Sequence, residues 1–491
     1  MASLRIIKFI GAYTILGFVP LAVSFFLLPL YTNYLIPAEY GVLAIANLTQ
    51  TFATLALSIG LDAAFGRFYF DYLDSPELTH RLLGTVVFSI LGLAVVLGLG
   101  LAVGGDWLFS FLWQGLPFHR YGWYVFVGGL MQVIFGIVFL WYRNGENLRM
   151  AMAVSLTSTA AQTAGSILAV AFVSHTALGA VAGRTLGFAL GVTPFTLVLL
   201  RRVPLAIDFS LVRKLLRYGL PLFAYTVIAY VLFNGDRILM QRWYPLQVLG
   251  LYALAATLVF PMEIILQSAQ QAVQPMFYRM LERKDPTVAG KIGSFYSALT
   301  LLNIAGMVGV VLVAEPLLVL MRGTHYRGAT HYIAILAYAQ LFRVQYNAFA
   351  FSLFYRRQQT QALPIVTGLS LLVGVAVAWV SCRLWGPLGV GVGVAGWKFF
   401  QRVSTQWAMR RSDTVQVGIR GSDRWVLAAG IYTLALYLVE AKRPELYGPV
   451  SWGAGVILAA LALVACVRFA RTAGMFQADV PEPLTAAPAD G

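Results

Sequence analysis

The 491-residue sequence is 59% hydrophobic and only 11% charged, with a mean hydropathy of +0.76. Soluble domains carry about 25% charged residues, so the composition excludes a soluble enzyme and predicts a multi-span membrane protein. The net charge of +15 does not point to nucleic acid, because the basic residues gather at the ends of apolar runs.

Apolar runs of about 20 residues predict helical spans at 9–31, 40–61, 82–104, 122–141, 150–173, 177–200, 217–240, 248–273, 292–313, 331–354, 361–382, 386–409, 425–439 and 450–470. The thirteenth is short, so the alternative is twelve spans and a further pair. The first run is too long for a signal-peptide core and no small-residue cleavage site follows it, so it counts as a span. With Arg5 and Lys8 inside, about 24 of the 35 Lys and Arg residues fall at inner ends. Both termini are therefore expected in the cytoplasm.

The expected organisation is a six-helix bundle over 1–202, a cytoplasmic linker over 203–216, a second bundle over 217–411, an additional helix pair over 425–470, and a disordered cytoplasmic tail over 471–491. The bundles read as a repeat. A shift of 209 lays Gly41–Ala46, GVLAIA, on Gly250–Ala255, GLYALA, and Phe68-Tyr69 on Phe277-Tyr278. A shift of 210 lays Leu178-Gly179 on Leu388-Gly389. Six spans separate the copies, an even number, so the repeats are parallel.

Polar residues inside the spans are the candidate site. Glu263, Gln267, Gln270, Gln271 and Gln274 recur at helical spacing on one face of the eighth span. Unpaired polar groups are costly in hydrocarbon, so this stripe faces other helices or a water-filled cavity. At the 209 shift Thr54, Ser58 and Asp62, part of a stripe with Asn47 and Thr51, land on Glu263, Gln267 and Gln271. Four cations also lie within spans: Arg184, Arg237, Arg343 and Lys398. Arg343 and Lys398 sit about 12 residues, or ~18 Å, from their outer ends, which is mid-bilayer. A cation costs about 2.5–3.5 kcal/mol there by insertion scales. Either these cations form ion pairs with Glu263 or Asp62, or they make a basic cavity that attracts anions. Arg237 can snorkel or pair with Asp236.

Other motifs carry less. Gly391-Val-Gly393-Val-Ala-Gly396 matches GxGxxG, but it lies inside a span with no preceding strand and reads as close helix packing. No phosphate-binding GxxxxGK[ST] occurs. His119, His175, His325 and His331 fall at outer ends, and Cys382 and Cys466 suggest neither a disulfide nor a metal site.

Three stretches carry a family resemblance: TNYLIPAEYGVLAIANLTQ, then Gly60–Tyr69 (GLDAAFGRFY), then Asn234–Ala255 with NGDRILMQRW and GLYALA. The Tyr40-Gly41 step, Arg67 and the Asp236-Arg237 pair are its core. In these the chain resembles the Wzx-type polysaccharide biosynthesis flippases of the multidrug/oligosaccharidyl-lipid/polysaccharide (MOP) exporter superfamily. The apolar runs read as an all-α fold of about 14 transmembrane helices; the resemblance covers the first twelve and implies two six-helix bundles around a central basic cavity. It also implies a substrate made of an oligosaccharide on undecaprenyl pyrophosphate, flipped to the outer face of a bacterial inner membrane, with other polysaccharide assembly proteins as partners. The candidate substrate-binding residues are Arg67, Arg184, Asp236, Arg237, Gln267, Gln270, Gln271, Gln274, Arg343 and Lys398. Glu263 and Asp62 are the candidate coupling carboxylates, for H⁺ or Na⁺, and no cofactor, metal or catalytic residue is expected. The competing classes are a MATE-like drug or cation antiporter, which should show an excess of intramembrane carboxylates, and a membrane glycan polymerase or ligase. The latter would need a larger external loop than any this sequence offers.

Overall fold

The computed structural model describes residues 25, 27–201, 208–283, 285–321, 323–355, 362–412 and 415–472, and these are helical with no strand among them. Most of the first expected span and all but the start of the expected tail lie outside the described residues. Sixteen α-helices follow in order: α1 Leu28–Tyr34, α2 Pro37–Ser58, α3 Leu61–Phe68, α4 Pro76–Leu112, α5 Phe118–Asn144, α6 Leu148–Leu168, α7 Ala177–Leu200, α8 Phe209–Phe233, α9 Gly235–Trp243, α10 Leu246–Glu282, α11 Val288–Leu320, α12 Thr330–Tyr355, α13 Ala362–Trp385, α14 Leu388–Arg411, α15 Arg420–Lys442 and α16 Tyr447–Thr472.

Among the described residues ten helices are long and apolar enough to cross a membrane, and the bent pair α8–α9 together meets the same test. α12 and α14 are as long, but Arg343, Lys398 and Arg402 make them too polar to qualify on composition. Every expected span from the second onward falls on one of these helices. Apolar side chains such as Val95, Val96, Leu99 and Val103 on α4, and Ile457 and Leu461 on α16, are exposed, as bilayer contact requires.

Three boundaries differ from expectation. The linker does not reach 216, because α8 already starts at Phe209. Asp208 caps it, its Oδ1 accepting from the Ser210 and Leu211 N–H groups at 3.0 and 3.2 Å. The second span ends at Ser58, where Ile59 (φ 45°) and Gly60 (φ 75°) turn left-handed before α3. A side chain at Gly60 would collide with the Gly219 backbone of α8, so only glycine permits both the turn and the approach. The thirteenth span is a full helix, since the charged turn Arg420–Arg424 is wound into α15.

The chain divides into two compact units, Met1–Leu254 with Leu317–Ala329, and Ala255–Pro316 with Thr330–Gly491. The division falls within α10 and not at the linker. Packing explains why α8, α9 and the start of α10 stay with the first unit. α8 meets α3 at Gly219 and Gly60, and α10 meets α2 at Gly250 and Gly41.

That second crossing displays the repeat. A methyl on Gly41 would strike the Leu246 carbonyl and lie 3.2 Å from the Gly250 nitrogen. A methyl on Gly250 would strike the Pro37 carbonyl and lie 3.0 Å from the Gly41 nitrogen. Pro37 and Gly41 become Leu246 and Gly250 at the 209 shift, so repeat-related backbones touch reciprocally. A second pair of seams follows the same spacing, one in each unit. On α6 and α7, a methyl at Gly183 would sit 3.0 Å from the Gly165 carbonyl carbon. On α13 and α14, one at Gly393 would sit 2.8 Å from the Gly374 carbonyl oxygen. The GxGxxG run thus serves helix packing, with Gly391 seated on Ile335 and Gly396 on Val377.

In the second unit α15 is tied to α12 near both ends. His331 Nδ1 lies 2.6 Å from Glu440 Oε1, while the Gln345 amide donates to Asp423 Oδ1 at 3.1 Å. Of the additional helix pair, α15 at least is part of the second unit's packing.

Candidate functional site: buried cations on polar helix faces

In the second unit, α10 is unbroken through the glutamine stripe, which grades from buried to exposed. Glu263 is only 2% exposed, Gln270 is half-buried, and Gln267, Gln271 and Gln274 are exposed. Glu263 Oε1 takes the Arg343 guanidinium at 2.9 Å and the Gln267 amide at 2.8 Å. Its other oxygen, Oε2, is buried and finds no hydrogen-bond partner among the described residues. Arg343 itself is 25% exposed, so the pair joins a partly exposed cation to a buried carboxylate. The ion pair weighed as one reading of the sequence is therefore what forms for Arg343. Two further amides bond tyrosines, Gln270 to Tyr296 on α11 at 3.1 Å and Gln274 to Tyr278 at 3.0 Å. Part of the stripe is thus interhelical bonding, and part stays open. Ile265, next to the stripe, is 43% exposed, so position around the helix alone does not predict shelter.

One turn before Arg343 on α12, Gln340 accepts a 3.0 Å bond from the Lys398 ammonium of α14. Lys398 is buried, and this amide oxygen is one partner of its ammonium. Counted along their helices, Arg343 and Lys398 lie about 20 and 15 Å from the helix starts. A turn further along α14, Arg402 pairs with Asp423 Oδ1 at 2.7 Å, and Gln345 converges on the same oxygen. Gln401 bonds Thr367 at 3.1 Å. α12 and α14 therefore carry three cations within a few turns: Arg343 beside Glu263, Arg402 beside Asp423, and Lys398 bonded to Gln340.

The first unit holds a smaller set. Arg184 on α7 donates to Gln50 Oε1 on α2 at 2.6 Å, and its buried Nε has no partner among the described residues. Thr54 turns back to the Gln50 carbonyl at 2.9 Å, and Ser58 reaches Asp62 across the Ile59–Gly60 break at 3.1 Å. Asp62 thus lies beyond the helical register that the sequence stripe assumed. Asp236 and Arg237 do not pair with each other. As neighbours on a helix they face apart. Arg237 donates to Asn234 Oδ1 at 2.7 Å, and Asp236 accepts from Tyr252 at 2.8 Å. Arg67 is exposed and bonded to Asp71 at 2.6 Å, outside any buried cluster.

Sequence reasoning missed Gln50, Gln345 and Asp423. Gln50 sits one turn after Asn47 and could have been read into that stripe. Asp423 was hidden by a span taken to start at 425.

A sequence model of the family described as polysaccharide biosynthesis protein matches residues 33–331. Among curated proteins no sequence match was found. Among solved structures, the lipid II flippase MurJ in an inward closed conformation is similar, with a TM-score of 0.70 at 13% identity over 94% of this chain and 99% of that one. An inward-facing multidrug resistance MATE family transporter of the MOP superfamily follows at 0.60 and 12% identity, over 86% and 99%. At such identities the likeness speaks for the fold, and the match over more than half of the chain speaks for the family. The chain is a member of the polysaccharide biosynthesis protein family, folded as the MOP-superfamily transporters are.

Proposed function

We propose that this protein is a flippase that carries a polyprenyl-pyrophosphate-linked oligosaccharide from the cytoplasmic to the outer face of a bacterial inner membrane. Its termini lie in the cytoplasm on this reading, and the carrier is undecaprenyl pyrophosphate. Family membership supports a polysaccharide precursor as cargo. The likeness to a structure described as a lipid II flippase supports a lipid-linked one.

The observation that carries the reading is the Arg343–Glu263 pair. A guanidinium that is 25% exposed and held by one oxygen of a buried carboxylate is a site where one anion can replace another. A pyrophosphate oxygen can take the place of Glu263 Oε1 with the same bidentate-capable geometry. The exposed amides of Gln267, Gln271 and Gln274 offer donors and acceptors to sugar hydroxyls. The polyprenyl chain stays in the bilayer and needs no polar partner.

Deleting the gene and identifying the lipid-linked intermediate that builds up on the cytoplasmic face tests this directly. A polyprenyl-pyrophosphate glycan should accumulate. Unchanged lipid-linked pools together with lost efflux of a small cation would refute it in favour of an antiporter.

A further inference from the structure

Away from the buried cations, the first ten residues of α8 carry a charge pattern that the proposed site does not include. Phe209–Tyr218 contains Arg213, Lys214 and Arg217 and no acidic residue. Leu211 and Leu215 pack into the core of the first unit. The opposite face therefore carries Phe209, Arg213 and Arg217 at i, i+4 and i+8, all exposed, with Phe209 80% exposed. Lys214 is held in place: its ammonium is 4.7 Å from the Phe68 ring centre and 5.3 Å from that of Tyr72, and it donates to the Tyr72 hydroxyl at 3.1 Å. The adjoining turn exposes Phe70 and Leu73. Of the acids beside the patch, Asp71 is engaged by Arg67 at 2.6 Å and Asp208 by Arg81 at 3.2 Å, while Asp74, next to Leu73, is exposed.

We propose that this face binds the phosphate headgroup of an anionic membrane phospholipid. Arg213 and Arg217 take the phosphate, Lys214 adds a fixed cation, and Phe209, Phe70 and Leu73 enter the upper acyl region. Exposed large apolar side chains beside a row of cations at the end of a spanning helix fit a membrane surface better than a soluble anion. The stretch also lacks the Asn, Gln or Asp side chains that a sugar would need, so the ligand is a bulk lipid and not the transported glycan.

The purified protein in detergent should be titrated with phosphatidylglycerol, phosphatidylcholine or a polyprenyl phosphate, and lipid adducts counted by native mass spectrometry. Wild type should prefer phosphatidylglycerol, more weakly as salt rises. The R213Q/K214Q/R217Q variant should lose that preference, with affinity for phosphatidylglycerol falling roughly a hundredfold and affinity for phosphatidylcholine unchanged. Undiminished phosphatidylglycerol binding in the variant, or equal binding of the two phospholipids by wild type, overturns the assignment. Tight binding of the polyprenyl phosphate alone also overturns it, and makes the face a capture site for substrate. Should the triple variant fail to fold, R213K/K214R/R217K is expected to keep wild-type affinity and R213Q to lose about fivefold. Wild-type affinity in both would equally refute the site.

Discussion

Adding one methyl group at the α2–α10 crossing tests the repeat at the level of packing. In Gly41→Ala the new carbon meets the Leu246 carbonyl, and in Gly250→Ala it lies 2.7 Å from the Pro37 carbonyl carbon. Carbon atoms in contact prefer about 3.5–4.0 Å, so the two backbones must part by about 1 Å. Neither obstacle is a flexible side chain that could rotate away. Overpacking of this kind costs about 1–3 kcal/mol, and each single variant should lose roughly 2 kcal/mol of stability. Because the contact is reciprocal, a seam already opened by one methyl accommodates the other more cheaply. The double variant should therefore lose about 1 kcal/mol less than the sum of the singles. Gly136→Ala on α5, where nothing lies within 4 Å, serves as the control and should be neutral or slightly stabilising. Unfolding of the four proteins in mixed micelles supplies the numbers. Singles as stable as wild type, or a strictly additive double, would refute the close reciprocal seam.

Three further outcomes are expected. Cysteines at Gln267, Gln271 and Gln274 in a Cys-free variant should react with a small polar thiol reagent, while cysteines at Met262 and Leu266, both buried, should not; uniform protection would make the stripe interhelical bonding alone. Arg343→Ala leaves Glu263 buried without its cation and should cost about 3–5 kcal/mol, whereas Arg343→Lys should keep most stability and lose export if bidentate geometry matters; export rates and unfolding midpoints separate the two. Asp208 has its carboxyl held below the usual range, first by the Ser210 hydroxyl and then by the Leu211 N–H. Its contribution is therefore present above the unfolded pKa and lost as pH falls through the folded one, so melting curves taken below about pH 4 should show a smaller acid loss in Asp208→Ala.

Periodicity and shift made much of this molecule legible. Ten of the helices follow from apolar length alone, and the 209 shift aligned Gly41 with Gly250, which the structure brings into contact. The pairing of Glu263 with Arg343 could be weighed from depth, since both had to lie in the bilayer and needed partners. What stayed hidden was local geometry. Ile59 and Gly60 sit where a span was still expected to run, and a glycine in an apolar run does not announce a left-handed turn. Gly219 of α8 gives the reason, and that contact is distant in sequence. The unit boundary inside α10 was equally hidden, because it depends on which helix a continuous segment packs against. Asp423 was missed because the apolar run was taken to start at 425, whereas here the carboxylate sits in the first turn of α15, where the helix dipole favours it.

On the proposed flippase function, the Arg343–Glu263 pair also bears on which step of transport is difficult. Moving a dianion outward across an inside-negative membrane is favoured by about 2.3 kcal/mol per charge per 100 mV, or about 5 kcal/mol for a pyrophosphate at 100 mV. The loaded step is thus driven by the potential. Release would be different, because an anion leaving Arg343 would uncover a largely buried guanidinium, and a buried charge without its partner costs about 3–5 kcal/mol. Glu263 stands within 2.9 Å to replace the departing anion, so that Arg343 is never left bare. We predict on this ground that Glu263→Gln leaves the first turnover nearly intact, because the amide leaves Arg343 free to bind substrate. Repeated cycling should slow, because nothing neutralises the cation once the substrate has gone. Proteoliposomes loaded with a fluorescent lipid-linked glycan resolve the two phases: a normal burst followed by a reduced steady rate is expected. A burst reduced as much as the steady rate would mean that Glu263 supports binding itself, and that the exchange of one anion for another at Arg343 is not how the carrier resets.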